Sequence, residues 1–152
     1  MITSETSRTG NSLRIERRLA APPERVFAAW TRPEELKQWT APAPLRVSAA
    51  EVDLRVGGRY RIAMEAPDGA VHVATGEYRE IVPGARLAYT WRRESWREGH
   101  ADSLVTVEFT PRGDGTTLVL THTGLPDEDS VTQHTKGWEG CLANLVPFVE
   151  AA

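Results

Sequence analysis

The chain is short of cysteine, of long apolar runs and of blocks of like charge, and each shortage removes a class of function. Its one cysteine, Cys141, cannot close an internal disulfide. No apolar run approaches the ~20 residues that cross a bilayer. The N-terminus has no apolar signal core, so no membrane span is expected and the default compartment is the cytoplasm. The 18 Lys and Arg against 21 Asp and Glu leave a net charge of −3. The positive charges are mostly Arg and are scattered, without the basic face that nucleic acid requires. There is no CxxC, HxxxH or carboxylate cluster, and no GxSxG elbow. Neither a metal nor a cofactor is expected. Gly57-Gly58 is followed by no helix and reads as a hairpin turn, not a phosphate loop.

What is present suits one soluble domain: 152 residues, 40% hydrophobic and 26% charged. Five tryptophans in so short a chain are many, and flat side chains line cavities as readily as they fill cores. Residues 1–11, polar and ending in Gly10-Asn11, read as a disordered tail, leaving 12–152 as the domain. Residues 13–19 alternate as a strand, with Arg17 marking it as an edge or near-edge strand. Pro22-Pro23 opens a first short helix carrying Val26, Phe27 and Trp30. Thr31-Arg32-Pro33 breaks it from a second, with Leu36 and Trp39 on one side.

From residue 45 to 123 the period becomes two. Strands are expected at 45–53, 60–65, 71–81, 86–91, 103–110 and 117–123, with glycine-containing turns between most of them. Short connections imply an antiparallel meander; the long one runs from 92 to 102. Tyr60, Ile62 and Met64, then Leu87, Tyr89 and Trp91, Val105, Val107 and Phe109, and Leu118, Leu120 and His122 share an apolar face. Glu65 falls on the outer face. The last segment, 127–152, is an amphipathic helix. Its apolar stripe is Val131, His134, Trp138, Cys141, Leu142, Leu145, Phe148 and Val149. Lys136, Glu139, Gly140 and Ala143 lie opposite. Gly137, at the stripe's edge, suggests a close approach, and Pro147 predicts a kink or early end near 143–147.

The run PPERVFAAWTRPEELKQW, the block DLRVGGRYRIAM, the block GEYREIVPGARLAYTW, the run VTVEFTPRGDGTTLVLTHTGLP and the late Gly137-Trp138 follow one another in order. Together they resemble the family of activators of heat-shock protein 90 ATPase, within the START-like (SRPBCC) superfamily. The resemblance implies an α+β helix-grip fold: about seven antiparallel strands wrapped round a long C-terminal helix, with two short helices after the first strand. It also implies a cavity between sheet and helix that takes a hydrophobic small molecule. An aromatic often follows the second helix's Trp in this family; here Thr40 follows Trp39, implying a more open or more polar mouth. No extra domain resembling the larger N-terminal portion of the eukaryotic co-chaperone is seen.

The expected ligand-binding side chains come from every part of that grip. They are Trp39 of the second short helix, then Tyr60, Met64, Tyr78, Tyr89, Trp91, Val107 and His122 of the sheet. The last helix adds His134, Trp138, Cys141 and Leu142. His122 and His134 are the candidates for acid–base catalysis, set against the plainer reading of core histidines with local hydrogen bonds. Three functions stay open. One is a binding domain for an apolar or aromatic molecule. Another is a polyketide cyclase- or hydrolase-like enzyme using a cavity His or Tyr. The third is a chaperone-interacting module in a stress response. Either a monomer or a homodimer fits.

Overall fold

The computed structural model describes residues 5–42, 44–96 and 101–151, with the side chains of Glu5 and Thr9 excepted. Eight strands form one antiparallel sheet, and three helices lie against it. In chain order these are β1 (Glu5–Thr9), β2 (Ser12–Leu19), α1 (Pro23–Thr31), α2 (Pro33–Trp39), β3 (Arg46–Val52), β4 (Arg59–Glu65), β5 (Val71–Val82), β6 (Arg86–Arg93), β7 (Ser103–Arg112), β8 (Gly115–Thr123) and α3 (Glu128–Glu150). The strand order is β1-β2-β8-β7-β6-β5-β4-β3. From β3 to β8 this is a simple meander. β2 then returns to pair with β8, so the first and last core strands meet beneath α3.

Eight strands replace the expected seven because residues 5–9, expected to be disordered, pair with β2 as the edge strand β1. Residues 1–4 of that tail lie outside the described residues. The segment has no apolar stripe to announce a strand. Main-chain hydrogen bonds hold it instead, and they do not depend on side-chain polarity. Gly10 supplies the positive φ of 56° at the turn into β2. Two side chains of β1 reach α3: Thr6 donates to Glu139 at 3.2 Å and Arg8 to Thr132 at 3.3 Å. β2 is accordingly one strand in from the edge, and Arg17 lies half-buried with its guanidinium 3.9 Å from Glu139.

The period-two reading of the inner face holds. β8 alternates strictly between half-exposed and buried, and Leu118, Leu120 and His122 are fully buried. Glu65 lies half-exposed and is paired with Arg46 across the β3–β4 edge. One glycine is required inside the sheet. A Cβ on Gly76 would lie 1.8 Å from the Thr90 carbonyl oxygen, which instead accepts the Tyr60 hydroxyl at 2.6 Å.

α3 starts at Asp127, whose side chain accepts the Ser130 N–H at 2.8 Å. Its buried residues are the expected stripe with Thr135 added; Phe148 is only half-buried. The early end is not found. The helix continues through Pro147 to Glu150, and Val149 stays in the core. Pro147 lacks only its own N–H, and its carbonyl still accepts from Ala151 at 3.1 Å. Phe148 is covered by the Arg25 guanidinium, 5.0 Å from its ring centre. The close approach expected at Gly137 occurs one turn later. A Cβ on Gly140 would come within 2.7 Å of the Pro42 side chain, whereas nothing lies within 4 Å of one on Gly137.

Candidate functional site

The space beneath α3 is filled on one side and hollow on the other. Under α1 and α3, the inner faces of β2, β7 and β8 are packed solid: Ile15, Val105, Val107, Leu118 and Leu120 are all completely buried. Under the first half of α3, over β4, β5 and β6, a cavity of about 110 Å³ remains. Its walls come from the inner faces of these three strands, from α2 and the connector after it, and from Trp30 of α1. α3 presents to it Gly137, which has no side chain to fill it.

Of the residues singled out from sequence, Trp39, Tyr60, Met64, Tyr78, Tyr89, Trp91, His134, Trp138 and Cys141 border this cavity. Val107, His122 and Leu142 do not; they belong to the filled side, where other side chains cover them. The cavity also includes residues that sequence reasoning misses, among them Trp30, Leu45, Ile62, His72, Arg93, Gln133 and Gly137. Ile62, Arg93 and Gly137 carry a visible signal. Ile62 and Arg93 continue the inward alternation of their strands, and Gly137 sits one residue before Trp138.

Two tryptophan–histidine hydrogen bonds tie α3 to the sheet in opposite senses. Trp91 of β6 donates its indole N–H to His134 Nε2 at 3.2 Å, and Trp138 of α3 donates to His122 Nδ1 of β8 at 3.1 Å. These bonds fix the tautomers. Nδ1 of His134 carries the proton and donates to the Ser130 carbonyl at 2.8 Å. Nε2 of His122 carries the proton and donates to Ser103 Oγ at 2.8 Å, because the serine's own proton goes to the Trp91 carbonyl at 2.7 Å. Both nitrogens of His122 and of His134 are therefore spent in holding the structure.

Electrostatics agree with that assignment. Burial, aided by the neighbouring His134, pulls the pKa of His122 well below its ordinary value. Burial lowers that of His134 too; the Ser130 carbonyl opposes the shift and Arg93 adds to it. Both rings are neutral at pH 7 and neither has a free nitrogen for acid–base work. Burial likewise pushes the Cys141 thiol up to about 12, and it donates to the Thr40 carbonyl at 3.1 Å, so no thiolate nucleophile forms. Thr40 does border the cavity, but its hydroxyl turns back to the Leu36 carbonyl at 2.6 Å.

The tyrosines differ among themselves. Tyr60 has spent its proton on Thr90, and Tyr89 accepts the Trp30 indole N–H at 3.1 Å. The Tyr78 hydroxyl has no hydrogen-bond partner among the described residues. Burial raises the pKa of all three phenols, so they remain neutral donors. Among the described residues no three His, Cys, Asp or Glu side chains are grouped to hold an ion. No helix among them is long and apolar enough to cross a membrane.

A helix-grip architecture with an aromatic hollow under the last helix restricts the choice of family, and comparison with known proteins decides it. Residues 20–150 match the family described as "Activator of Hsp90 ATPase homolog 1-like protein". The chain belongs to that family. Its fold is that of the START-like superfamily, as the resemblance implied. The mouse activator of 90 kDa heat shock protein ATPase homolog 1 is 31% identical over 120 residues, covering 77% of this chain. That stretch is only 30% of the mouse protein, so the chain spans under a third of the curated relatives it matches. A crystal structure of a protein from Chromobacterium violaceum superposes with a TM-score of 0.83 at 34% identity, covering 93% of this chain and 99% of that one. An HSP90 activator from Plasmodium falciparum superposes with a TM-score of 0.73 at 30% identity, covering 90% and 94% respectively.

Proposed function

We propose that this domain of the Hsp90 ATPase activator-like family binds a small hydrophobic or aromatic molecule between the sheet and α3. The observation that carries the reading is the aromatic-walled hollow of about 110 Å³, spanned at one side by the Trp91–His134 hydrogen bond. Its size narrows the class of occupant. A buried apolar hollow of about 150 Å³ accepts benzene, and drug-sized ligands need roughly 300–1,000 Å³. At about 110 Å³ the hollow lies at or below the smaller of these sizes, so a single ring is the upper limit and a multi-ring polyketide does not fit this conformation. The spent nitrogens of His122 and His134 favour holding a molecule over reacting with it.

The test is thermal unfolding with a panel of one-ring apolar compounds. A bound compound at a hundred times its Kd stabilises the fold by about 2.7 kcal/mol, a readily measured rise in Tm. A flat response across the panel would sink the reading.

A second reading comes from the relatives' names: the domain contacts an Hsp90-type chaperone. It predicts stimulation of the chaperone's ATPase by the purified domain. No stimulation and no co-purification with the chaperone would exclude it.

A further inference from the structure

We propose that the occupant of the cavity is an acid, a one-ring aromatic carboxylate whose anionic group sits on Arg93. The inference rests on the binding reading above and names its ligand class.

Arg93 ends the inward series Leu87, Tyr89, Trp91 on β6 and lies opposite Ala74 of β5. It lines the cavity and is only half-exposed. Its guanidinium has no ion pair or hydrogen bond to any described residue. The neighbouring carboxylates are engaged elsewhere: Glu94 with Arg61 at 3.7 Å, Asp102 with Arg92 at 3.3 Å, and Glu65 with Arg46. The described lining of the cavity contains no Asp or Glu, while His72 and His134 border it beside the arginine. In a chain of net charge −3, this pocket has gathered positive and neutral groups alone.

A half-buried arginine stays protonated and loses hydration that no described residue replaces. A carboxylate matches its planar fork with two parallel hydrogen bonds. The adjoining walls are indole and phenol faces, so the rest of the acid must be flat and apolar. The anion on Arg93 and the ring inside together specify a small aromatic acid.

Calorimetric titration with benzoate, phenylacetate and 3-phenylpropanoate, each paired with its neutral amide, tests the proposal. The protein should bind at least one acid about tenfold more tightly than its amide. Arg93→Gln should abolish that preference by weakening the acid far more than the amide, and Arg93→Lys should keep part of it. Gly137→Leu should abolish binding of both partners, since its side chain would enter the cavity.

Equal affinity for acid and amide, or a preference that survives in Arg93→Gln, overturns the acid assignment and leaves the binding reading standing. An acid preference untouched by Gly137→Leu places the contact on the surface and also overturns the assignment. Failure of every acid and every amide to bind overturns both. The melting temperature of each variant, measured alongside, separates lost binding from lost fold.

Discussion

The two halves of the space under α3 have the same origin and opposite outcomes. Both are floored by strands that alternate large apolar residues inward, and both are roofed by one helix. Over β2, β7 and β8 the inward residues are mainly Leu, Ile and Val, with Phe109 and His122 among them, and two helices press on them until nothing is left open. Over β4, β5 and β6 the rings Tyr60, Tyr78, Tyr89 and Trp91 stand among Ile62, Met64 and His72, with Gly137 above. Four rigid rings and a glycine leave a gap open here, where the branched side chains of the other half leave none. The mainly aliphatic half is filled, and the half richer in rings stays hollow.

The sharpest way to break this contrast is a matched pair of truncations. Leu120→Ala, in the filled half, should cost about 2–5 kcal/mol in urea unfolding. Ile62→Ala, at the cavity wall, should cost about 2 kcal/mol, because part of the side chain already faces empty space. Equal losses would mean that the hollow is collapsed in solution.

Acid provides the next test. Both histidines are neutral in the fold, with pKa values depressed below the ordinary 6.5. Above that value the folded and unfolded chains bind the same number of protons at these sites. Below it the unfolded chain takes up protons that the folded chain refuses. Stability therefore falls with pH by up to about 1.4 kcal/mol per unit for each histidine, until its folded pKa is reached. His122, on the filled side, is the more depressed, so His134→Gln should shorten the loss to one group and leave it extending to lower pH. An acid limb of unchanged slope would remove His134 from the account.

The smallest effect separates two glycines on one helix. Gly137→Ala meets open space and should stabilise by about 0.5–1 kcal/mol through helix propensity. Gly140→Ala presses on Pro42 and should give no such gain. If both variants gain alike, the connector after α2 yields easily and does not brace α3.

The inner face of the sheet is legible in the amino-acid order, because period two depends only on strand geometry. The stripe of α3 is legible for the same kind of reason. What periodicity does not carry is coverage. It places Val107, His122 and Leu142 inward, correctly, but says nothing of which helix lies on them, and all three belong to the filled half. Trp30 gives no sign of being a wall, because a helix before the sheet reaches the cavity only through the chain's return. β1 gives none of being a strand, because a polar edge strand is held by its backbone. Arg93 occupies an inward position in the alternation, and its charge disguises it.

Gly137 has a consequence beyond energetics. It is one codon in a helix whose other contacts do not depend on it, bordering a void with nothing within 4 Å of where a side chain would start. Alanine, serine or valine at that position would meet no neighbouring element. Each step would shrink the space and, under the proposed binding role, change which molecules are admitted. Under that role, a lineage built on this scaffold could change its ligand one mutation at a time, with the fold left in place.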